Sequence, residues 1–123
     1  MNNSKKILLV EDEVFITELY LLALKKRGFE VDAVINGNEA LQKAQTNQYD
    51  IILLDLMIPG LNGINVLDQI KQNKQIKSKV IVATNLEEQQ EIKEEIEKKA
   101  DGYIVKANLT PSELADFIDK IRL

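Results

Sequence analysis

Short apolar runs alternate with longer amphipathic stretches along the whole chain. The runs are 7–10, 31–35, 51–54, 80–83 and 103–105, rich in β-branched and long aliphatic residues. Each is too short for a buried helix, and continuous rather than alternating apolar character suits strands covered on both faces. Between them, 13–27, 37–47, 63–73, 87–99 and 111–121 read as helices. Gly28 stops the first of these after the basic turn Lys25-Lys26-Arg27. Thr110-Pro111-Ser112-Glu113 supplies an N-cap, a proline at the first helical position and an acid at the third. The pattern predicts a βα unit repeated five times, a doubly wound α/β sandwich with a parallel sheet, forming one domain over 1–123. On the first helix, Phe15, Leu19, Leu22 and Ala23 share an arc expected to face the core. Val14, Leu21 and Leu24 fall outside it as an apolar flank.

Composition narrows the chemistry. The 123 residues are 45% apolar and 29% charged, with no cysteine, histidine or tryptophan. Disulfides, thiolate metal sites and cysteine nucleophiles are therefore excluded. So are an imidazole base and a phosphohistidine carried by the chain itself. The balance of 16 basic against 20 acidic residues, net -4, argues against direct nucleic-acid binding through phosphate contacts. No run approaches the ~20 apolar residues of a membrane span, and Glu11-Asp12-Glu13 interrupts any signal-peptide core. A cytoplasmic location without membrane contact is expected.

The ends of the strands carry what chemistry remains. Strand 1 runs into Glu11-Asp12, strand 3 into Asp55, strand 4 into Thr84 and strand 5 into Lys106. In an open parallel sheet the carboxyl ends of the strands share one edge, where ligands bind. Taken singly, Asp12 or Asp55 reads as a turn or capping residue. Thr84 alone reads as a helix-start hydroxyl, and Lys106 as a solvated charge. Together they place three carboxylates, a hydroxyl and an amine around one crevice. Such a cluster suits a hard divalent cation with oxygen ligands, and magnesium in particular.

These residues also carry a resemblance. Leu8-Leu9-Val10-Glu11-Asp12-Glu13, the run from Leu53-Leu54-Asp55 through Pro59-Gly60 to Asn62-Gly63, Val82-Ala83-Thr84 and Gly102-Tyr103-Ile104-Val105-Lys106 occur in order. The chain resembles the receiver domain of two-component response regulators, chemotaxis-regulator-like, over essentially its whole length. The resemblance implies a flavodoxin-like (βα)5 sheet of order 2-1-3-4-5. Asp55 would be the phosphoacceptor, taking a phosphoryl group from a histidine kinase or histidine phosphotransfer protein. Glu11, Asp12, Asp55 and the backbone carbonyl of Met57 would hold Mg²⁺. Lys106 would pair with the phosphoryl group, and Thr84 would donate to one of its oxygens. Thr84 and Tyr103 would then switch the surface of helix 4, strand 5 and helix 5 toward a downstream protein. Val14 and Leu21 would help to dock the phosphodonor. Such a protein is not an enzyme, since it catalyses only its own phosphorylation and dephosphorylation. It is expected as a monomer or a phosphorylation-dependent dimer.

Helix 4, at 87–99, has only Ile92 and Ile96 as large apolar residues, a thin stripe that is easily displaced. Its six glutamates against three lysines make an acidic surface able to select a basic partner. Some positions depart from the family pattern. Ala107 stands where most receivers have proline, so the Lys106–Ala107 bond is either trans, with a rearranged loop, or a strained cis bond. Asn85 is bulkier than usual and narrows access to Asp55. Met57 and Leu86 replace polar groups that orient an attacking water, implying a persistent phosphoryl group. Met57 also discounts a phosphatase of the haloacid dehalogenase type, which places a second aspartate there. A flavodoxin-type cofactor site lacks its phosphate-cradling loop after strand 1. A phosphorylation-independent interaction module of the same fold is the alternative.

Overall fold

The computed structural model describes residues 5–60, 62–84 and 90–122. Asn85, Leu86 and the expected start of the fourth helix at 87–89 lie outside the described residues, as does the side chain of Ile92. The elements are β1 (Lys6–Val10), α1 (Val14–Lys26), β2 (Glu30–Val34), α2 (Gly37–Ala44), β3 (Ile51–Leu54), α3 (Gly63–Gln72), β4 (Lys79–Thr84), α4 (Gln90–Lys99), β5 (Gly102–Val105) and α5 (Pro111–Asp119). The five strands form one parallel sheet of order β2-β1-β3-β4-β5, the order that the resemblance implies.

Successive side chains of a strand point to opposite faces, so the continuous apolar runs feed two cores. Leu8, Val10, Ile52, Leu54, Val80 and Val82 pack with α2, α3 and Ile96 of α4. Ile7, Leu9, Ile51, Leu53, Ile81 and Ile104 pack with α1 and α5. The Thr110 side chain accepts from Glu113 N, and the Glu113 carboxylate accepts from Thr110 N, so the capping box read from the sequence is formed. Gly28 ends α1 at φ 90°, in the left-handed region that favours glycine.

One expectation is overturned. Phe15 and Leu22 are 73% and 70% exposed, Leu19 is exposed as well, and Ala23 is only half-buried. The core face of α1 instead carries Tyr20 and Leu24, with Ile16 and Leu21 partly buried against the α1–α5 core. Both arcs have helical spacing because α1 is apolar nearly all round. Periodicity alone cannot choose between them.

The Lys106–Ala107 peptide is trans, since the described residues contain no cis bond. A 3₁₀ turn over Lys106–Asn108 leads into α5.

Candidate functional site

The carboxyl edge of the sheet brings the expected groups together. Asp55 follows β3 directly and is fixed there by its own amide, which donates to Val10 O at 3.1 Å. Its Oδ1 accepts from the Met57 amide at 2.9 Å, and its Oδ2 accepts from Lys106 Nζ at 2.7 Å. Glu11 follows β1, with its amide on Val34 O and its Oε2 accepting from Glu13 N at 3.3 Å. The Lys106 ammonium also donates to Glu11 Oε1, so one cation bridges two carboxylates. Glu11 is 1% exposed and Asp55 7%, whereas Asp12 is open to solvent.

Burial pushes the Glu11 carboxyl above its usual range and the Asp55 charge adds to this, while Lys106 pulls the other way. Burial also works against the Lys106 ammonium, but its bonds to Asp55 and Glu11 outweigh that and raise its pKa. The lysine is therefore held charged.

Glu11, Asp12 and Asp55 each offer a carboxylate oxygen, all within 4.8 Å of one another. Three such charges against one ammonium leave an excess of negative charge. A donor set of carboxylate oxygens fits a hard divalent cation. Thr84 ends β4, fully buried, in register with Val105 next to Lys106. Tyr103 on β5 is half-buried against the α2–α3–α4 core, with Lys93 Nζ of α4 5.7 Å from its ring centroid. Val14 and the Met57 side chain are exposed at this edge, while Leu21 is half-buried.

Two contacts near the site are not evident from the sequence. Tyr20 is buried on α1 and lines, with Ile16, Leu109 and Pro111, a depression of about 330 Å³ that reaches Lys106. The i, i+4 row of Ile16, Tyr20 and Leu24 was the available signal. Gly63, the first residue of α3, lies against the backbone of Leu56, and a Cβ there would sit 2.5 Å from Leu56 Cα. No pattern in the sequence marks that approach.

A family model for the response regulator receiver domain matches residues 7–119. The chain belongs to this family. It is 36% identical over 117 residues to the response regulator ArlR of Staphylococcus saprophyticus, covering 95% of this chain and 50% of that protein. It thus spans about half the length of the curated relatives it matches. Among solved structures it resembles the chemotaxis response regulator CheY4 of Vibrio cholerae, at 26% identity and a TM-score of 0.84, covering 96% of this chain and 98% of that one. It also resembles the phosphorylated cyanobacterial phytochrome response regulator RcpA, at 31% identity and a TM-score of 0.78, covering 94% and 89%. Phosphorylation-based signalling is the standard role of the receiver family. Among the described residues, no helix is long and apolar enough to cross a membrane.

Proposed function

We propose that this receiver accepts a phosphoryl group on Asp55 and passes the signal through its α4–β5–α5 surface. The observation that carries the reading is a buried Asp55 joined through Lys106 to Glu11, with Asp12 completing a three-carboxylate edge. A carboxylate is a weak nucleophile, so help has to come from charge compensation around the phosphoryl group and not from a base. An Asp55 oxygen forms the bond to phosphorus as the bond to the donor's imidazole nitrogen breaks, and the electron pair leaves with the imidazole. Glu11, Asp12, Asp55 and the Met57 carbonyl would hold Mg²⁺, which would offset the charge of the incoming phosphoryl oxygens. Lys106 keeps a positive charge beside Asp55 throughout. Thr84 donates to a phosphoryl oxygen, and Tyr103 repacks against α4 in response.

The donor is a histidine kinase or histidine phosphotransfer protein, docking on the α1 edge around Val14 and Leu21. The downstream partner is a protein, the location cytoplasmic, and no separate substrate is turned over. The phosphorylated state of RcpA, a protein of similar fold, supports this reading.

Incubation with Mg²⁺ and acetyl phosphate followed by intact-mass measurement tests it. One phosphate addition is expected, lost in Asp55→Asn. An unmodified wild-type chain would overturn phosphoacceptance and favour a phosphorylation-independent module.

A further inference from the structure

The stripe of α1 expected in the core is uncovered. Phe15, Leu19 and Leu22 stand in solvent at i, i+4 and i+7, the spacing of a two-helix seam, and Lys26 extends it by one position. On the other side of α1, Arg27 is engaged by Asp116 and, at 4.0 Å, by Asp119 of α5. So α5 covers one flank and leaves the stripe open. Charge on this open face is divided end to end. Glu18 lies in the N-terminal half, and Lys25 and Lys26 close the helix. All three are exposed, and none forms an ion pair with a described residue.

We propose that this stripe is the seam of a symmetric dimer, in which α1 of a second copy of this chain packs antiparallel across Leu19 and Leu22. A two-fold axis between helices reverses the charge gradient of the partner, so the acidic half of one α1 faces the basic end of the other. With the axis midway between Leu19 and Leu22, Glu18 lies ~4 Å along the helix and Lys25 of the second copy ~7 Å, at ~1.5 Å per residue. The offset of ~3 Å is within reach of a lysine side chain. Phe15 rests on the aliphatic stem of Lys26 of the second copy. A parallel arrangement would set like charges against each other and is disfavoured. The contact involves the unphosphorylated chain and does not rest on phosphoacceptance. It covers the helix on which a phosphodonor would dock, so dimer and donor compete for it.

A seam of one helix pair is at the low end of interface sizes, so association is weak and is read at high concentration. Sedimentation equilibrium of the unphosphorylated chain, from micromolar to millimolar and without divalent cation, is expected to show a reversible monomer–dimer equilibrium. Leu22→Glu should raise the dissociation constant at least ~10-fold, with circular dichroism confirming the fold. Glu18→Lys and Lys25→Glu should each weaken the dimer, and the double variant should restore it. A chain that stays monomeric throughout overturns the proposal, and binding of a phosphodonor through Leu22 by that monomer would assign the stripe to that partner. A dimer indifferent to Leu22→Glu but sensitive to Phe117→Glu would also overturn it, moving the contact to the α4–β5–α5 face. Weakening by the charge reversals without recovery in the double variant overturns the antiparallel arrangement.

Discussion

Replacing Gly63 by alanine tests how the loop after Asp55 is held. A Cβ at this position would lie 2.5 Å from Leu56 Cα, 2.7 Å from its carbonyl oxygen and 2.9 Å from its carbonyl carbon. Ordinary contact is ~3.5–4.0 Å, so about 1 Å of separation has to be found. All three atoms are backbone, and neither side yields easily. The Leu56 segment is tied through Asp55 N to Val10 O and through Met57 N to Asp55 Oδ1. Helix α3 is anchored by Val66, Leu67 and Ile70, each no more than 1% exposed. Overpacking costs ~1–3 kcal/mol, and a backbone clash belongs at the top of that range. Alanine recovers at most ~1 kcal/mol of helix propensity. The net expectation is a loss of ~2 kcal/mol, or a fall in Tm of ~8 °C for a chain of this length. Gly102→Ala is the internal control. Its Cβ would meet Ile81 Cδ1 at 2.8 Å, the end of a side chain that can turn away, so less than ~1 kcal/mol is expected. Urea and thermal melts followed by circular dichroism give both values. Because the displaced residue lies between Asp55 and Met57, acetyl phosphate labelling of the folded Gly63→Ala protein should also slow by ~10–100-fold. A Gly63→Ala protein no less stable than Gly102→Ala would refute the reasoning.

Other expected outcomes rest on different contacts. Asp101 accepts from Lys71 Nζ and from Val80 N at 2.7 Å, and these bonds outweigh burial and hold its carboxyl below the usual range. Asp101→Asn should cost ~1.5–3 kcal/mol at neutral pH. A lowered carboxyl stabilises above its unfolded pKa and loses that contribution as pH falls through the folded value. The gap to wild type in urea melts should therefore close on the acid side, and a gap constant down to pH ~3 would count against this assignment. Lys106→Met leaves Glu11 and Asp55 buried without their cation, so ~3 kcal/mol of stability should be lost in metal-free buffer. A change below ~1 kcal/mol would mean that the bridge contributes little. With Met57 unable to orient water, the phosphorylated chain should persist in Mg²⁺ buffer and Met57→Asn should shorten its lifetime. Loss of the label from wild type within seconds, followed by intact mass, would contradict that role.

The sheet was legible because its central strands are buried on both faces, which turns Ile7-Leu8-Leu9-Val10 and Ile51-Ile52-Leu53-Leu54 into unbroken apolar runs with sharp ends. The same sharp ends exposed the candidate site, since Glu11, Asp55 and Lys106 each follow a strand directly. Thr110 was legible because capping is local. What depends on the mutual placement of elements was not. The face that α1 turns to the core is decided by how it seats on the sheet and α5, and both of its arcs are apolar. The tie of Lys106 to Glu11 spans 95 residues of sequence, and the approach of Gly63 to Leu56 is a distance between backbones that no side-chain pattern encodes.

The bridge made by Lys106 bears on how the site could act as a switch. One ammonium serves two carboxylates that water hardly reaches, so its position is set by the balance of charge between Glu11 and Asp55. A phosphoryl group on Asp55 turns one negative charge into nearly two and moves it outward from the carboxylate. On the proposed reading, Lys106 would then be drawn toward the new oxygens, leaving Glu11 buried without its partner. An unpaired buried carboxylate is expensive, so occupancy of the three-oxygen edge by a cation and phosphorylation of Asp55 should reinforce each other. The same displacement would pull on the segment that joins β5 to α5, because Lys106 opens the 3₁₀ turn immediately after Val105. On the proposed reading, a change of charge at the sheet edge would reach the surface that contains Tyr103 without any large movement of the core.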